Sequence, residues 1–339
     1  MRQVGGFTMY NPNAPLANLD DLREAYKVIQ ECSFCVRTPM VHRAQDWLRL
    51  TRLSCDLSLK LENTQPTGSF KVRGLANQLK HIPQDVANNE KEVITMSAGN
   101  YGKAFSFAMQ KMGLRARVLM PETAPEDRER IMKGYGSNVE RMPSRELQPS
   151  VDRYVSTQGM HYLHPFDDYN LICGYGSAGF EILEEVSDPD VIVVCCGGGG
   201  LLAGLAAAVK LSGKTNTRIY GVEPEQACCM YQSKQAGHPV EDPTVHSVAS
   251  GLAPPFAGSN TFRHVQAFVE DILLLTEEEI ISAVSQLFYA GIVVEPAGAA
   301  AFAALVSGKV PDVAGKKVVA VITGGNVTPR ELCQLVKPL

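Results

Sequence analysis

The sequence predicts an α/β protein in which helices cover both faces of a mainly parallel sheet. From about residue 55 onward, short apolar runs alternate with longer helix-like segments, a pattern typical of such sheets. Residues 191–194 are apolar and β-branched, which indicates a strand buried on both faces. The pattern Thr-x-x-Glu, found at Thr123 and Thr276, predicts that a helix begins near each threonine.

The individual elements follow from local patterns along the chain. Residues 57–61 alternate between leucine and polar residues, as in a strand, and the remaining predicted strands are short apolar runs. Pro125 falls in the first turn of the helix that Thr123 would cap, where a missing N–H costs nothing. The other predicted strands are 93–96, 116–120, 191–194, 218–222, 272–275 and 318–322. The predicted helices are 75–79, 101–112, one ending near 134, 201–211 and 277–289.

Composition limits the classes of function. The chain has 339 residues, of which 45% are hydrophobic and 20% charged, and its net charge is −4. Nucleic-acid binding is not expected because no basic run is present. No apolar segment approaches the ~20 residues of a membrane span, and residues 1–15 lack the features of a secretory signal. We therefore expect a cytoplasmic protein.

The nine cysteines are expected to be reduced. Cys32 and Cys35 form a C-x-x-C pattern, but a redox role would need the helix start of thioredoxin-like folds and a metal site would need a second ligand pair. The sequence favours a structural role for this pair and for Cys228 and Cys229.

Three turns carry the chemistry that the sequence suggests. Residues 67–71 place Lys71 after a small-residue turn, and residues 97–100 and 197–200 are glycine-bearing turns that follow apolar runs. A lysine, an Asn-bearing turn and a glycine cradle are together what a protein needs to hold pyridoxal phosphate covalently. Four glycines at a helix start expose backbone N–H groups that suit a phosphate.

A dinucleotide site is the competing interpretation of the glycine cradle. Gly198, Gly200 and Ala203 satisfy the loose G-x-G-x-x-A form, and Glu223 ends a strand about 20 residues further on. The cradle lies deep in the chain, however, and this interpretation leaves Lys71 without a role.

Five segments resemble the serine/threonine dehydratase family, which includes serine racemase. They are residues 62–74, 97–102, 197–201, 294–298 and 323–326. The resemblance implies a fold type II (tryptophan synthase β-like) pyridoxal-phosphate enzyme with two open, twisted, mainly parallel sheets. It also implies a large domain of residues 1–89 and 170–339, a small domain of residues 90–169, an active site between them, and a homodimer.

The resemblance assigns roles to individual residues. Lys71 corresponds to the lysine that binds the cofactor and then acts as the base at Cα, Phe70 to a residue beside the cofactor ring, and Asn100 to the donor to its 3′-oxygen. Thr323 corresponds to the partner of the pyridine nitrogen, and Glu295 to a glutamate near the cofactor. The phosphate loop comprises Gly197, Gly198, Gly199, Gly200 and Leu201. The substrate site comprises Ser97, Ala98, Gly99, Asn100, Tyr101 and Gly251.

Departures from the family pattern separate its members. In serine racemase a serine supplies the second acid/base group at the position of Ala98, which has no proton to give, although Tyr101 or a water could substitute. The racemase-type metal site is doubtful here: Glu223 and Ala227 are present, but Cys229 stands where an aspartate is expected and a hard cation prefers oxygen ligands.

These features predict β-elimination of water from L-serine or L-threonine, followed by hydrolysis of the enamine to a 2-oxo acid and ammonia. An amino-acid racemase acting on serine or aspartate, with elimination as a side activity, is the alternative. A binding protein without turnover is a third hypothesis. The sequence leaves the choice between serine, threonine and 3-hydroxyaspartate open. His161 and His164 are expected to have packing or surface roles.

Overall fold

Ten strands form two separate sheets within residues 10–338, the part of the chain that the computed structural model describes. In chain order, the strands are β1 (Met40–Val41), β2 (Asp56–Leu61), β3 (Val93–Met96), β4 (Ala116–Pro121), β5 (Asn138–Met142), β6 (His161–Tyr162), β7 (Val191–Cys195), β8 (Arg218–Pro224), β9 (Asp271–Leu275) and β10 (Lys317–Ile322).

Helices occupy the connections between the strands. They are α1 (Leu19–Glu31), α2 (Ala44–Trp47), α3 (Lys71–Lys80), α4 (Gln84–Ala87), α5 (Asn100–Met112), α6 (Glu126–Gly134), α7 (Leu147–Gln158), α8 (Tyr169–Glu185), α9 (Gly200–Leu211), α10 (Cys229–Ala236), α11 (Ser259–Phe268), α12 (Glu277–Tyr289), α13 (Pro296–Val306) and α14 (Pro329–Leu335). Within residues 10–338, no helix combines the length and apolarity that crossing a membrane requires.

Both sheets are mainly parallel, which confirms the predicted fold class. The larger sheet has the order β1-β2-β10-β7-β8-β9 and the smaller sheet the order β5-β4-β3-β6. The pairing of β1 with β2 is antiparallel, and the other paired strands of the two sheets run parallel. The smaller sheet lies inside the segment 90–169, whose boundaries as a domain remain a prediction.

The central strands of the larger sheet are buried on both faces. Ile192 and Val194 of β7 belong to one hydrophobic cluster, while Val191 and Val193 belong to another on the opposite face. Successive side chains of a strand point to opposite faces, so a strand covered by helices on both sides needs apolar residues at every position. The apolar run at 191–194 predicted this burial correctly.

Each of the seven predicted strands coincides with an observed strand or lies within one, and one of the two predicted helix caps is present. The Thr276 hydroxyl accepts the Glu279 N–H, and the Glu279 carboxylate accepts the Thr276 N–H in return. The cap predicted at Thr123 is wrong, because α6 begins after Pro125 without a side-chain cap. A proline disfavours helical geometry for the residue before it, so this helix cannot begin two residues earlier.

The parallel arrangement brings three motifs to one edge of the larger sheet. Strands β2, β10 and β7 are neighbours, with Ile322 in register with Leu61 and Ala320 with Val193. Their carboxyl ends lead into the lysine turn, the turn at 323–326 and the glycine loop respectively. Ligand sites of open α/β sheets form at this edge.

Candidate active site

Lys71 is the first residue of α3, and the turn before it is fixed to the end of β10. The Phe70 N–H donates to the Thr323 carbonyl at 3.1 Å, and Ser69 pairs with Gly324 in an antiparallel bridge. The Lys71 amine lies 4.9 Å from the centroid of the Phe70 ring. The structure therefore brings the predicted lysine, its aromatic neighbour and Thr323 together.

The electrostatic environment of Lys71 favours its neutral form. Burial lowers the pKa of this lysine to about 8, although the nearby Cys195 and Glu295 act in the opposite direction. Only a neutral amine can attack a carbonyl carbon or accept a proton. Lys71 is thus suited both to capture an aldehyde and to act as a base near neutral pH.

A chain of side-chain hydrogen bonds fixes the orientation of Asn100. The Lys103 ammonium donates to Asn326 Oδ1 at 2.6 Å, and Asn326 Nδ2 donates to Asn100 Oδ1 at 2.7 Å. Asn100 Nδ2 in turn donates to Glu295 Oε1. Because Lys103 can only donate, the donor–acceptor direction of the whole chain is determined. One N–H of Asn100 remains for a bound group.

Glu295 lies at the end of this chain and is buried. Burial raises the pKa of its carboxyl group to about 7, opposed first by the hydrogen bond from Asn100 and then by the positive charges of Arg128, Lys103 and Lys71. Its charge therefore changes near neutral pH. Glu295 and Asn100, which the sequence assigned separately to the cofactor, are hydrogen-bonded to each other, while the role of Glu295 toward a cofactor remains a prediction.

The hydroxyl of Thr323 has neutral hydrogen-bond partners. Its Oγ1 lies 3.2 Å from Cys195 Sγ and 3.4 Å from the carbonyl oxygen of Ala297. Burial raises the pKa of the Cys195 thiol to about 11, so this neighbour stays protonated at neutral pH. No acidic side chain is bonded to Thr323 among residues 10–338, and the partner predicted for a pyridine nitrogen is thus a neutral hydroxyl.

The glycine loop joins β7 to α9 and leaves no space for side chains. A Cβ on Gly197 would lie 2.7 Å from the Gly251 carbonyl oxygen, and one on Gly198 would lie 2.3 Å from the Phe166 ring. Gly199 has φ +86°, which favours glycine. The loop therefore presents backbone N–H groups at the start of a 12-residue helix, a geometry that suits a phosphate. Leu201 is buried, so only its backbone can contribute.

These residues fit pyridoxal phosphate. The aldehyde would need the Lys71 amine, the phosphate would need the glycine loop, and the pyridine nitrogen would need a partner such as Thr323. The buried Ser69 hydroxyl, two residues before Lys71, has no hydrogen-bond partner within residues 10–338. A buried unpaired hydroxyl costs free energy, and a bound polar group would satisfy it.

The predicted substrate turn caps the start of α5. The Ser97 hydroxyl oxygen accepts the N–H groups of Gly99 and Gly102 at 3.2 and 3.1 Å. The Tyr101 side chain is 2% exposed and its hydroxyl donates to Gln78 at 2.7 Å, so only its backbone can serve the turn. This placement corrects the expectation that the Tyr101 side chain could stand in for a missing proton donor.

Two adjoining cavities, of about 160 and 240 Å³, open beside this turn. Asn100 and Gly99 line the first, while Gly251 and Glu295 line the second. Residues common to both are Arg128, Asn326 and Val327. Of the predicted substrate residues, Gly99, Asn100 and Gly251 therefore border these two adjoining cavities, while Ser97, Ala98 and Tyr101 line neither.

Two basic residues of this region were not predicted. Arg128 on α6 lies 3.7 Å from Glu331, and the sequence does not distinguish it from its neighbour Arg130. Lys103 follows Asn100 by three residues and hence lies on the same face of α5, a spacing that could have predicted its position.

The structure assigns Glu223 a role other than ligand binding. Its two carboxylate oxygens accept the N–H groups of Met230 and Tyr231 at 3.0 and 2.8 Å, at the start of α10. Burial raises its pKa to about 8. With both oxygens engaged, Glu223 is poorly placed for the metal considered with Ala227 or for a ribose hydroxyl. Within the described residues, no three His, Cys, Asp or Glu side chains cluster as metal ligands.

His164 is a neutral acceptor that shapes the chain around Phe166. Its Nδ1 accepts the N–H groups of Phe166 and Asp167 at 3.3 and 2.9 Å. Burial, followed by the positive charge of Lys71, lowers its pKa to about 3. His161 lies in β6, and burial also lowers its pKa.

Comparison with known proteins agrees with this geometry. The profile of the family described as "Pyridoxal-phosphate dependent enzyme" matches residues 35–324, which contain the lysine turn, the asparagine turn and the glycine loop. The chain belongs to this family. Its cofactor is pyridoxal 5′-phosphate.

Relatives within this family confirm the predicted resemblance. The catabolic L-threonine dehydratase of Staphylococcus aureus is 35% identical over 319 residues, or 93% of this chain and 90% of that protein. A threonine deaminase structure from Solanum lycopersicum has a TM-score of 0.84 at 27% identity, covering 99% of this chain and 98% of the other. A serine racemase structure from Dictyostelium discoideum has a TM-score of 0.82 at 30% identity, with coverages of 92% and 99%.

Proposed function

We propose that this enzyme removes water from L-serine, L-threonine or both by β-elimination, and that hydrolysis of the resulting enamine takes up water again and releases ammonia and the corresponding 2-oxo acid. The observation that carries the proposal is that the site has one lysine base, the half-buried Lys71, with Ala98 at the position where a second acid/base group would be needed. The threonine dehydratase and threonine deaminase relatives support the same reaction class.

The residues divide the work as follows. Bound pyridoxal phosphate supplies the sink for the electrons of the broken Cα–H bond. Lys71 would hold the cofactor through its amine, and its neutral amine would accept the Cα proton of the substrate. The N–H groups of the glycine loop hold the phosphate, and the turn at Ser97 and Gly99 orients the substrate carboxylate. The β-hydroxyl leaves with a proton as water.

The neutral hydroxyl of Thr323 favours elimination. As the partner of a pyridine nitrogen it would not keep that nitrogen protonated, so the bound cofactor would supply a weaker electron sink than with an acidic partner. Departure of the β-hydroxyl can then accompany loss of the Cα proton.

Racemisation would require a proton donor on the face opposite Lys71. Ala98 has none and packs against the apolar core, while the Tyr101 hydroxyl is engaged with Gln78. These contacts favour the lyase over the serine or aspartate racemase. By the family resemblance, we also propose that the enzyme is a cytoplasmic homodimer with a small domain of residues 90–169.

The test is release of 2-oxo acid from L-serine, L-threonine and 3-hydroxyaspartate by the holoenzyme. Lys71→Ala should lower the rate by more than about 10³-fold, since it removes both the attachment point and the base. Lys80→Ala, an exposed change at the other end of α3, is the matched control and should retain full activity.

Three results would contradict the proposal. If Lys71→Ala were as active as the wild type, Lys71 could not be the base that the proposal requires. A protein that gains no cofactor absorption band would be a binding protein. Racemised serine or aspartate without 2-oxo acid would favour the racemase. Under the lyase proposal, Ala98→Ser should increase racemisation from a low starting level.

A further inference from the structure

The C-x-x-C pair forms a closed turn at the end of α1. The Cys35 N–H donates to the Cys32 carbonyl oxygen at 3.2 Å, and Cys32 is the last, extended residue at the helix terminus. Such a turn brings the first and fourth Cα atoms within about 7 Å, close to the range that a disulfide spans. Both cysteines are free thiols and partly buried.

The two thiols of this turn have different environments. Interaction with the Cys35 side chain, and then with the backbone N–H groups of Phe34 and Cys35, lowers the pKa of the Cys32 thiol to about 7 despite its partial burial. The Cys35 thiol lies further inside and donates to the Val72 carbonyl at 3.6 Å. Its interaction with Cys32, together with burial, raises its pKa well above the ordinary value. Cys32 is thus the more reactive thiol, and Cys35 is placed to act as the resolving thiol.

The other cysteines lack this arrangement. Burial raises the pKa of Cys55, Cys173, Cys195, Cys196, Cys228 and Cys229. Cys333 is exposed, and no second cysteine is paired with it among residues 10–338. The structural role that the sequence favoured for Cys32 and Cys35 does not account for two thiols that lie in one closed turn and have such different environments.

We propose that Cys32 and Cys35 are a redox-active dithiol, which a hydroperoxide converts into an intramolecular disulfide. The Cys32 thiolate attacks the peroxide oxygen and is oxidised to a sulfenic acid, while the O–O bond breaks and the peroxide leaves as an alcohol or water. The Cys35 sulfur then attacks the Cys32 sulfur and the sulfenic hydroxyl leaves as water. In sum, two thiols lose two electrons and two protons, and one hydroperoxide is reduced.

This modification would act next to the catalytic helix. The disulfide removes the Cys35 S–H that donates to Val72, the residue after Lys71. The neighbouring Val36 is held on both its backbone groups by the Gln65 side chain, at 3.1 and 2.8 Å, in the turn before α3. The oxidation state of the pair is therefore connected to the segment that carries Lys71.

Peptide mapping of the holoenzyme tests the proposal without an activity assay. Trypsin cleavage after Lys27 and Arg37 releases residues 28–37, which contain both thiols and no other cysteine. After treatment with hydrogen peroxide and alkylation, this peptide should lose two hydrogen atoms and take up no label. Cys35→Ser should accumulate a sulfenic acid at position 32 that a dimedone probe captures, whereas Cys32→Ser should leave Cys35 unmodified.

Cys333 is the matched control because it is exposed and unpaired. The proposal is overturned if the peptide 28–37 remains doubly alkylated at peroxide concentrations that already oxidise Cys333. It is also overturned if the two serine variants react alike, since the structure assigns the thiols different roles. Because the first measurement uses the unmodified protein, poor folding of a variant cannot decide the outcome.

Discussion

Arg73 and Lys71 lie two residues apart at the start of α3, but only the charge of Arg73 is fully paired with carboxylates. Arg73 donates to both carboxylate oxygens of Glu62 and of Glu181, over 2.7–2.8 Å, and Lys60 adds a further bond to Glu181 at 2.6 Å. We call these four residues the arginine cluster. Lys71, Asn100, Lys103 and Glu295 are the lysine site.

The charges in the arginine cluster are balanced, and the pKa values of Glu62 and Arg73 move away from neutrality. Burial alone would raise the pKa of Glu62, but attraction to Arg73 outweighs it and the pKa is lowered. The pKa of Arg73 is raised because its attraction to Glu62 and Glu181 exceeds the effect of burial. In the lysine site, burial has the larger effect. It lowers the pKa of Lys71 to about 8 and raises the pKa of Glu295 to about 7.

The difference shows how one helix terminus serves two purposes. Complete hydrogen bonding keeps the charges of the arginine cluster in one protonation state. The same hydrogen bonds join α3 to the end of β2 and to α8. Incomplete pairing leaves a group able to change its protonation state near neutral pH, as catalysis requires. Four substitutions test this contrast, from the largest expected effect to the smallest.

Arg73→Met should destabilise the protein by about 3–5 kcal/mol, because Glu62 and Glu181 would keep buried charges without their partner. Urea unfolding monitored by circular dichroism measures the change. Arg37→Met is the matched control: Arg37 also binds two glutamates, Glu184 and Glu185, but its side chain is 47% exposed and its loss should cost only about 0–1 kcal/mol. Equal effects would show that burial does not distinguish the two arginines. If Arg73→Met does not fold, Arg73→Lys should show an intermediate loss.

Glu295→Gln should stabilise the apoprotein at pH 8 by up to about 3 kcal/mol and leave it nearly unchanged below pH 4.5. The folded-state pKa of about 7 is above the ordinary 4.5, so this carboxyl group lowers stability as pH rises between those values. Glutamine keeps the acceptor for Asn100 and removes the charge. Urea midpoints at pH 4.5 and 8 provide the measurement.

Glu62→Gln should change the free energy of unfolding in the direction opposite to Glu295→Gln. The folded-state pKa of Glu62 is lowered, so its contribution to stability is present at neutral pH and is lost as pH falls. The variant should be destabilised most at neutral pH. If both glutamine variants changed stability in the same direction at pH 8, the division between the two groups would be wrong.

Lys103→Met should lower kcat by about tenfold, because the Asn326 amide loses the charged donor that sets the direction of the hydrogen-bond chain to Asn100. The loss should appear in kcat with a changed cofactor absorption spectrum and unchanged thermal stability. Lys80→Met is the control on an exposed lysine. A spectrum identical to that of the wild type would show that the chain does not position Asn100.

Much of the fold could be predicted because strong local patterns coincide with it. All seven predicted strands are present, since buried parallel strands must be apolar along their whole length. Helix α13 was missed because it is apolar on every side and buried, so it has no amphipathic period. The short strand β6 has two residues and carries no signal of its own.

The sequence alone determined the chemistry of the site, since Lys71, Asn100, Thr323 and the glycine loop are in motifs whose residue types have few other uses together. It also determined the cofactor and the family. Only the tertiary structure decided what surrounds these residues: that Glu181 reaches Arg73 across 108 positions, that Lys103 and Arg128 border the cavities, and that Tyr101 points into the core. Contact and burial between distant segments depend on how the sheets pack, and they set each pKa, which no local pattern encodes.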